Sequence, residues 1–235
     1  MKTDKIRSIQ EEILSHKNSE QAEFLSRFFK TGKGEYAEGD TFLGIRVPVS
    51  RKISKKYKDI ELSELSSLLN STYHEMRLIA LIILADQCKK GDGTKQKKIF
   101  ELYCKNIKFI NNWDLVDESA PKIPGSYLLD KDRFILYSWV KSKNLWERRI
   151  AIMSTFAFIR KGDYTDTLRI AEILVSDSED LIHKATGWML REIYKRNPKA
   201  VSLFLESYGS IMPRTMLRYA IELHPENKRK KILKN

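Results

Sequence analysis

The sequence predicts an all-α fold, a superhelical solenoid of stacked two-helix repeats, and three observations carry that reading. Nearly every segment spaces its apolar residues three or four apart, the period of one helix face. No Asn-Gly or Asp-Gly turn joins two alternating runs, and Asp92-Gly93 falls between two helical patterns. A faint repeat also runs along the chain. Glu75-Met76-Arg77-Leu78-Ile79-Ala80 is echoed by Glu147-Arg148-Arg149-Ile150-Ala151-Ile152, then by His183-Lys184-Ala185 and Leu217-Arg218-Tyr219-Ala220. Arg77 and Arg149 lie 72 apart, Arg149 and Lys184 35, Lys184 and Arg218 34. Such a period suits helix pairs that bury their apolar faces only by stacking on neighbours.

Taken in order, the periodicity places helices at 4–15, 19–31, 48–57, 61–69, 73–90 and 94–107 in the first half. The second half adds 131–141, 144–160, 164–176, 180–196, 198–208 and 213–223. Ser19 precedes the second helix, Gly162 and Asp163 separate two others, and Pro198 opens a late one, all conventional boundary residues. Gly32 to Val47, with four glycines, reads as a loop. No linker composition appears, so residues 1–235 read as one domain ending in a basic tail at about 226–235.

Charge narrows the partner. Forty-three Lys and Arg against 31 Asp and Glu leave a formal charge of +12 on 235 residues, which favours a polyanion. In a stacked repeat, equivalent positions line one surface, so Arg77, Arg149, Lys184 and Arg218 form a basic stripe suited to phosphates; pairing with acidic neighbours is the bland alternative. Arg51, Lys52, Lys55, Lys56 and Lys58 crowd one helix, and a solvated face is the better reading there. Asn227-Lys228-Arg229-Lys230-Lys231 reads as a disordered run or a nonspecific DNA arm.

No apolar run approaches the roughly 20 residues that span a bilayer, and no secretory signal opens the chain, so a cytoplasmic protein is expected. Cys88 and Cys104 lack metal-ligand spacing and read as reduced core thiols, with no metal or cofactor expected. Tyr73-His74-Glu75 lacks the second histidine of a zinc helix, so His74 reads as a capping or packing residue.

Chemistry concentrates in Asn111-Asn112-Trp113-Asp114-Leu115-Val116-Asp117. Trp113 and Asp117 are four apart and share a helix face, while Asp114 and Glu118 pair one position round. A core indole beside a solvated carboxylate is the bland reading. The alternative is an aromatic wall beside a carboxylate, facing a cationic group. An N3- or N7-alkylated purine is such a group: its glycosidic bond is labile, its departure needs no general acid, and a carboxylate stabilises the charge building on the sugar. Trp146 reads as packing. Gly187, beside Trp188, reads as a place of close backbone approach.

These stretches, Trp113-Asp114-Leu115-Val116-Asp117, Trp146-Glu147-Arg148-Arg149 and Gly187-Trp188-Met189-Leu190-Arg191-Glu192, resemble the AlkD family of DNA alkylation repair glycosylases. Phe42-Leu43-Gly44-Ile45-Arg46-Val47-Pro48 resembles that family's early loop-to-helix segment, and the likeness runs from about residue 20 to 225. The resemblance implies HEAT-like repeats whose concave basic groove grips double-stranded DNA. It implies hydrolysis of the N-glycosidic bond of alkylated purines without metal or cofactor. By motif position it puts the catalytic aspartate at Asp117, aromatic walls at Trp113 and Trp188, and a backbone-contacting arginine at Arg149. Asn112 departs from the pattern, where some members have another tryptophan. A monomer needing no protein partner is expected, with a noncatalytic DNA-structure-binding repeat protein as the alternative.

Overall fold

The computed structural model describes residues 2–234, with side chains described from Lys5 onward. Among them there is no β-strand, only an isolated bridge between Thr41 and Tyr73, so the all-α expectation holds. Among the described residues no helix is long and apolar enough to cross a membrane. The chain divides into two compact units, Met1–Ile123 and Pro124–Asn235. No Gly- or Pro-rich linker marks the division, and composition carried no signal of it.

The first unit contains α1 (Lys2–Ser15), α2 (Ser19–Phe28), α3 (Val47–Lys56), α4 (Leu62–Leu69), α5 (His74–Lys90), α6 (Gly93–Lys105) and α7 (Trp113–Ser119). Its centre is α5, which packs against α3, α4, α6 and α7. The reason is legible in Leu78-Ile79-Ala80-Leu81-Ile82-Ile83-Leu84-Ala85: a helix apolar on all sides is stable only when surrounded. Helix starts are set by short polar caps. Asn18, one residue before Ser19, accepts from the Gln21 N–H at 2.8 Å, and Asp92 from the Lys95 N–H at 2.8 Å.

The second unit contains α8 (Pro124–Tyr127), α9 (Phe134–Trp139), α10 (Leu145–Ser154), α11 (Phe156–Arg160), α12 (Thr165–Leu174), α13 (Asp180–Tyr194), α14 (Pro198–Tyr208), α15 (Arg214–Ala220) and α16 (Glu226–Lys234). The helix expected at 144–160 breaks at Thr155. There the hydroxyls of Ser154 and Thr155 donate to the carbonyls of Ile150 and Ile152, a back-bonding that bends a helix. Gly187 behaves as expected. A Cβ there would lie 2.5 Å from both the Met216 carbonyl oxygen and the Tyr219 Cβ, so α13 and α15 meet backbone to backbone.

The basic tail is not a disordered run. It forms α16, and Ile232 and Leu233 pack against the apolar cluster of Leu190, Phe204, Met216 and Leu217. An Ile-Leu pair hidden behind a run of lysines was the overlooked signal.

Candidate active site and DNA-contacting residues

The first unit's site rests on a loop held by one carboxylate. Glu75, buried in the first turn of α5, accepts the backbone N–H groups of Leu43, Gly44 and Ile45 at 2.9, 2.8 and 3.0 Å. Gly44 has φ +84°, and a Cβ there would lie 2.0 Å from the Asn18 carbonyl oxygen. Phe42-Leu43-Gly44-Ile45 is thus pinned between α5 and the start of α2, and the tight turn admits only glycine.

Beside it lies a buried ionic network. His74 is 1% exposed, and its ring nitrogens meet Asp40 Oδ2 and Asp114 Oδ2, each at 2.8 Å. Burial alone would keep this imidazole neutral, but the charges and hydrogen bonds of Asp114 and Asp40 prevail and raise it to about 9. Asp40 is pushed upward by its own burial, yet His74 and Arg77 hold it below the usual carboxylate range. Arg77 Nη2 donates to Asp40 Oδ1 at 2.5 Å, and its Nη1 donates to the carbonyls of Ser71 and Thr72.

An aromatic cluster continues from the histidine. The imidazole stacks on Phe42 with centroids 4.4 Å apart; Phe42 stacks on Phe29 at 5.0 Å, and Phe29 on Trp113 at 5.1 Å. Phe28, largely exposed, meets the same indole edge-on at 6.2 Å. Trp113 opens α7 behind the cap of Asn112, whose side chain accepts the Trp113 N–H at 2.8 Å.

That seven-residue helix carries three acidic side chains. Asp114 is held by His74. Glu118 is paired with Arg51 at 2.8 Å and with Lys122. Asp117, half-buried, lies one turn beyond Trp113 on the indole's face. Behind the helix Tyr103 is fully buried and bonded to Ser119; burial chiefly, and the Asp117 charge in part, push its phenol upward.

In the second unit Trp188 is half-buried on α13, within 6.2 Å of the Phe156 ring, and its Nε1 donates to Glu192 at 3.3 Å. Arg149 is 5% exposed and its guanidinium donates to the Leu181 carbonyl. Lys184 is half-exposed and paired with Asp180 at 2.8 Å, while Arg218 is exposed on α15. Trp146 is buried, as the packing reading expects.

A family model described as DNA alkylation repair enzyme matches residues 9–223. The chain belongs to this family. Membership supports a role in DNA repair and points to DNA as the partner. A solved structure described as a predicted DNA alkylation repair enzyme from Enterococcus faecalis shares the fold. Its TM-score is 0.71 at 20% identity, over 90% of this chain and 98% of that one. No curated protein matches.

In this repair-family chain two members of the expected surface stripe, Arg77 and Arg149, are buried, and Lys184 and Arg218 are the members that reach the surface. Arg77 is 4% exposed with its guanidinium turned onto Asp40 and two carbonyls, so it braces the fold rather than meeting a phosphate. The positive charge suggested a surface residue because the acid that buries it, Asp40, lies 37 positions away in a loop. His74 was read as a cap or packing residue and proves to bridge two carboxylates. Phe42 opens the loop-to-helix segment of the resemblance, but Phe28 and Phe29, which shape the surroundings of Trp113 with it, carried no motif; their only signal was the density of phenylalanines before the glycine loop.

Proposed function

We propose that this repair-family protein is a DNA glycosylase that hydrolyses the N-glycosidic bond of cationic N3- and N7-alkylated purines in duplex DNA. One observation carries the reading. On α7 the Asp117 carboxylate lies one turn beyond the Trp113 indole, which is itself braced by Phe29, so a carboxylate and an aromatic wall share one helix face.

The chemistry asks little of the protein beyond that pair. An alkylated purine leaves as a neutral base, taking both electrons of the C1′–N bond and needing no proton at departure. Positive charge passes to the sugar, where the Asp117 carboxylate stabilises it and orients the attacking water. Water adds at C1′ and gives up a proton, yielding free base and an abasic site. The Trp113 face favours the cationic substrate over the neutral product. In the second unit, taken by itself, Trp188 is proposed as an aromatic contact to DNA, Lys184 and Arg218 as phosphate contacts, and Arg149, on the family resemblance alone, as a contact to the DNA backbone.

The test is release of free 7-methylguanine from methylated duplex by wild type and by Asp117→Asn. Wild type releases base; the variant folds, binds duplex, and releases at least about 100-fold less. Near-normal release by the variant removes Asp117 from the reaction. Tight duplex binding by a wild type that releases nothing makes the protein a noncatalytic DNA-binding repeat.

A further inference from the structure

We infer that His74 is the positioning residue of this site: held between Asp40 and Asp114, it fixes the helix that carries Trp113 and Asp117. The inference rests on the glycosylase reading above. It assigns a role to a buried group that touches no substrate.

A seven-residue helix has too few internal hydrogen bonds to hold its own place, so its orientation is set by its anchors. For α7 the far end is tied by Glu118 to Arg51 and by Ser119 to Tyr103, while the anchors of its first turn, the one that carries Trp113, converge on one point. Asp114, in the first turn, is bonded to His74 at 2.8 Å. Asn112, the cap, reaches Asp40 at 3.5 Å, and Asp40 is bonded to the other ring nitrogen. His74 opens α5, the central helix of the unit, and its backbone N–H donates to the Thr41 carbonyl at 2.8 Å. The anchor therefore ties α7 to the most deeply packed element available.

The same ring holds the aromatic side. It stacks on Phe42 and lies 5.2 Å from Phe29, which in turn stacks on the Trp113 indole. One imidazole thus sets both the carboxylate-bearing helix and the wall beside it. The groups facing it are Asp114 from α7, Asp40 from the loop, Arg77 of α5 behind Asp40, and the rings of Phe42 and Phe29. Two carboxylates balance one guanidinium and one imidazolium, so the network is neutral only while His74 is protonated. A misplacement of about 1 Å at a reacting group costs on the order of 100-fold in rate, which gives the anchor catalytic consequence.

The experiment compares wild type, His74→Phe and Asp114→Asn. It measures melting temperature, affinity for unmodified duplex, single-turnover release of 7-methylguanine from about pH 6 to 9.5, and hydrogen exchange over residues 112–120. His74→Phe keeps a ring against Phe42 but bonds neither carboxylate. It should bind duplex as wild type does, release base roughly 10- to 100-fold more slowly, and lose the wild type's decline in rate as pH nears 9. If it does not fold, Asp114→Asn, which leaves the Asp40 bond in place, carries the same expectation with a smaller drop. Release at the wild-type rate by a folded variant overturns the inference. So does a loss of release that only follows a loss of DNA affinity. If wild type itself releases no base, the glycosylase reading fails. Exchange over α7 then decides the anchor: faster exchange in the variants upholds it, and unchanged exchange overturns it.

Discussion

Arg77 and Arg148 hold the same post in the two units, 71 residues apart. Each guanidinium donates from Nη1 to the carbonyls five and six residues earlier, Thr72 and Ser71 in one case, Lys143 and Ser142 in the other. Each also grips an aspartate, Asp40 or Asp177. Ser71 and Ser142 match as well, their hydroxyls accepting the N–H of Tyr73 and Asn144. His183, 35 residues after Arg148, keeps the pattern with one bond, to the Asp177 carbonyl at 2.6 Å. This is a repeat of structure: a long basic side chain folds back to satisfy carbonyls before its helix and ties in an acid.

Replacing Arg148 by alanine should therefore act on stability. The side chain is 14% exposed and its partner Asp177 7%, so the variant strands a nearly buried carboxylate at a cost of about 3 kcal/mol. Urea unfolding reads the loss, while affinity for unmodified duplex at fixed salt should stay unchanged. A drop in affinity with no change in unfolding midpoint would show that Arg148 serves DNA instead.

The sequence pattern reads the repeat one residue out of register, pairing Arg77 with Arg149. The letters favour that choice, because Glu75 then matches Glu147 and both arginines follow at the same distance. Only bonding separates two adjacent arginines, and the carbonyls that decide it belong to a turn with no distinctive chemistry of its own. Local features fared better. The α-helical class, the Gly187 contact and the shared face of Trp113 and Asp117 all follow from spacing within one element. His74, Asp40 and Glu75 could not be read the same way. Each acts on a residue 30 to 40 positions away, and nothing in a linear pattern says which loop folds back.

Gly187→Ala should destabilise the second unit. Its Cβ would meet backbone oxygen at 2.5 Å, so α13 and α15 must separate, at a cost of about 1–3 kcal/mol. Differential scanning calorimetry should show the loss. An unchanged melting temperature would mean that the helices yield freely.

Stability should also carry the signature of His74. Its folded pKa of about 9 lies above the ordinary 6.5, so the native state binds the extra proton between those values. The contribution, at most roughly 3 kcal/mol, is fully present below about pH 6.5 and is lost as pH rises through about 9. Asp40 runs the other way: its lowered pKa adds stability above the ordinary 3.8 that is lost as pH falls through the folded value. Urea midpoints from about pH 6 to 10 should decline in wild type and decline less in His74→Phe. Parallel curves would show that the imidazole carries no extra proton.

The last helix separates two uses of positive charge. On α16, Lys228, Lys230 and Lys231 lie among residues whose apolar members, Ile232 and Leu233, pack into the second unit's core. Arg214 adds a bond to the Leu233 carbonyl at 2.9 Å. Ile232→Ser with Leu233→Ser should lower the melting temperature and leave the salt dependence of duplex binding as it was. Changing the three lysines to glutamine should do the reverse. For every phosphate that the protein no longer neutralises, the slope of log affinity against log salt flattens by about 0.9, with little effect on stability. If the lysine variant keeps the wild-type slope, α16 serves packing alone, and the phosphate-binding cations must lie elsewhere, with Arg218 of α15 the first to test.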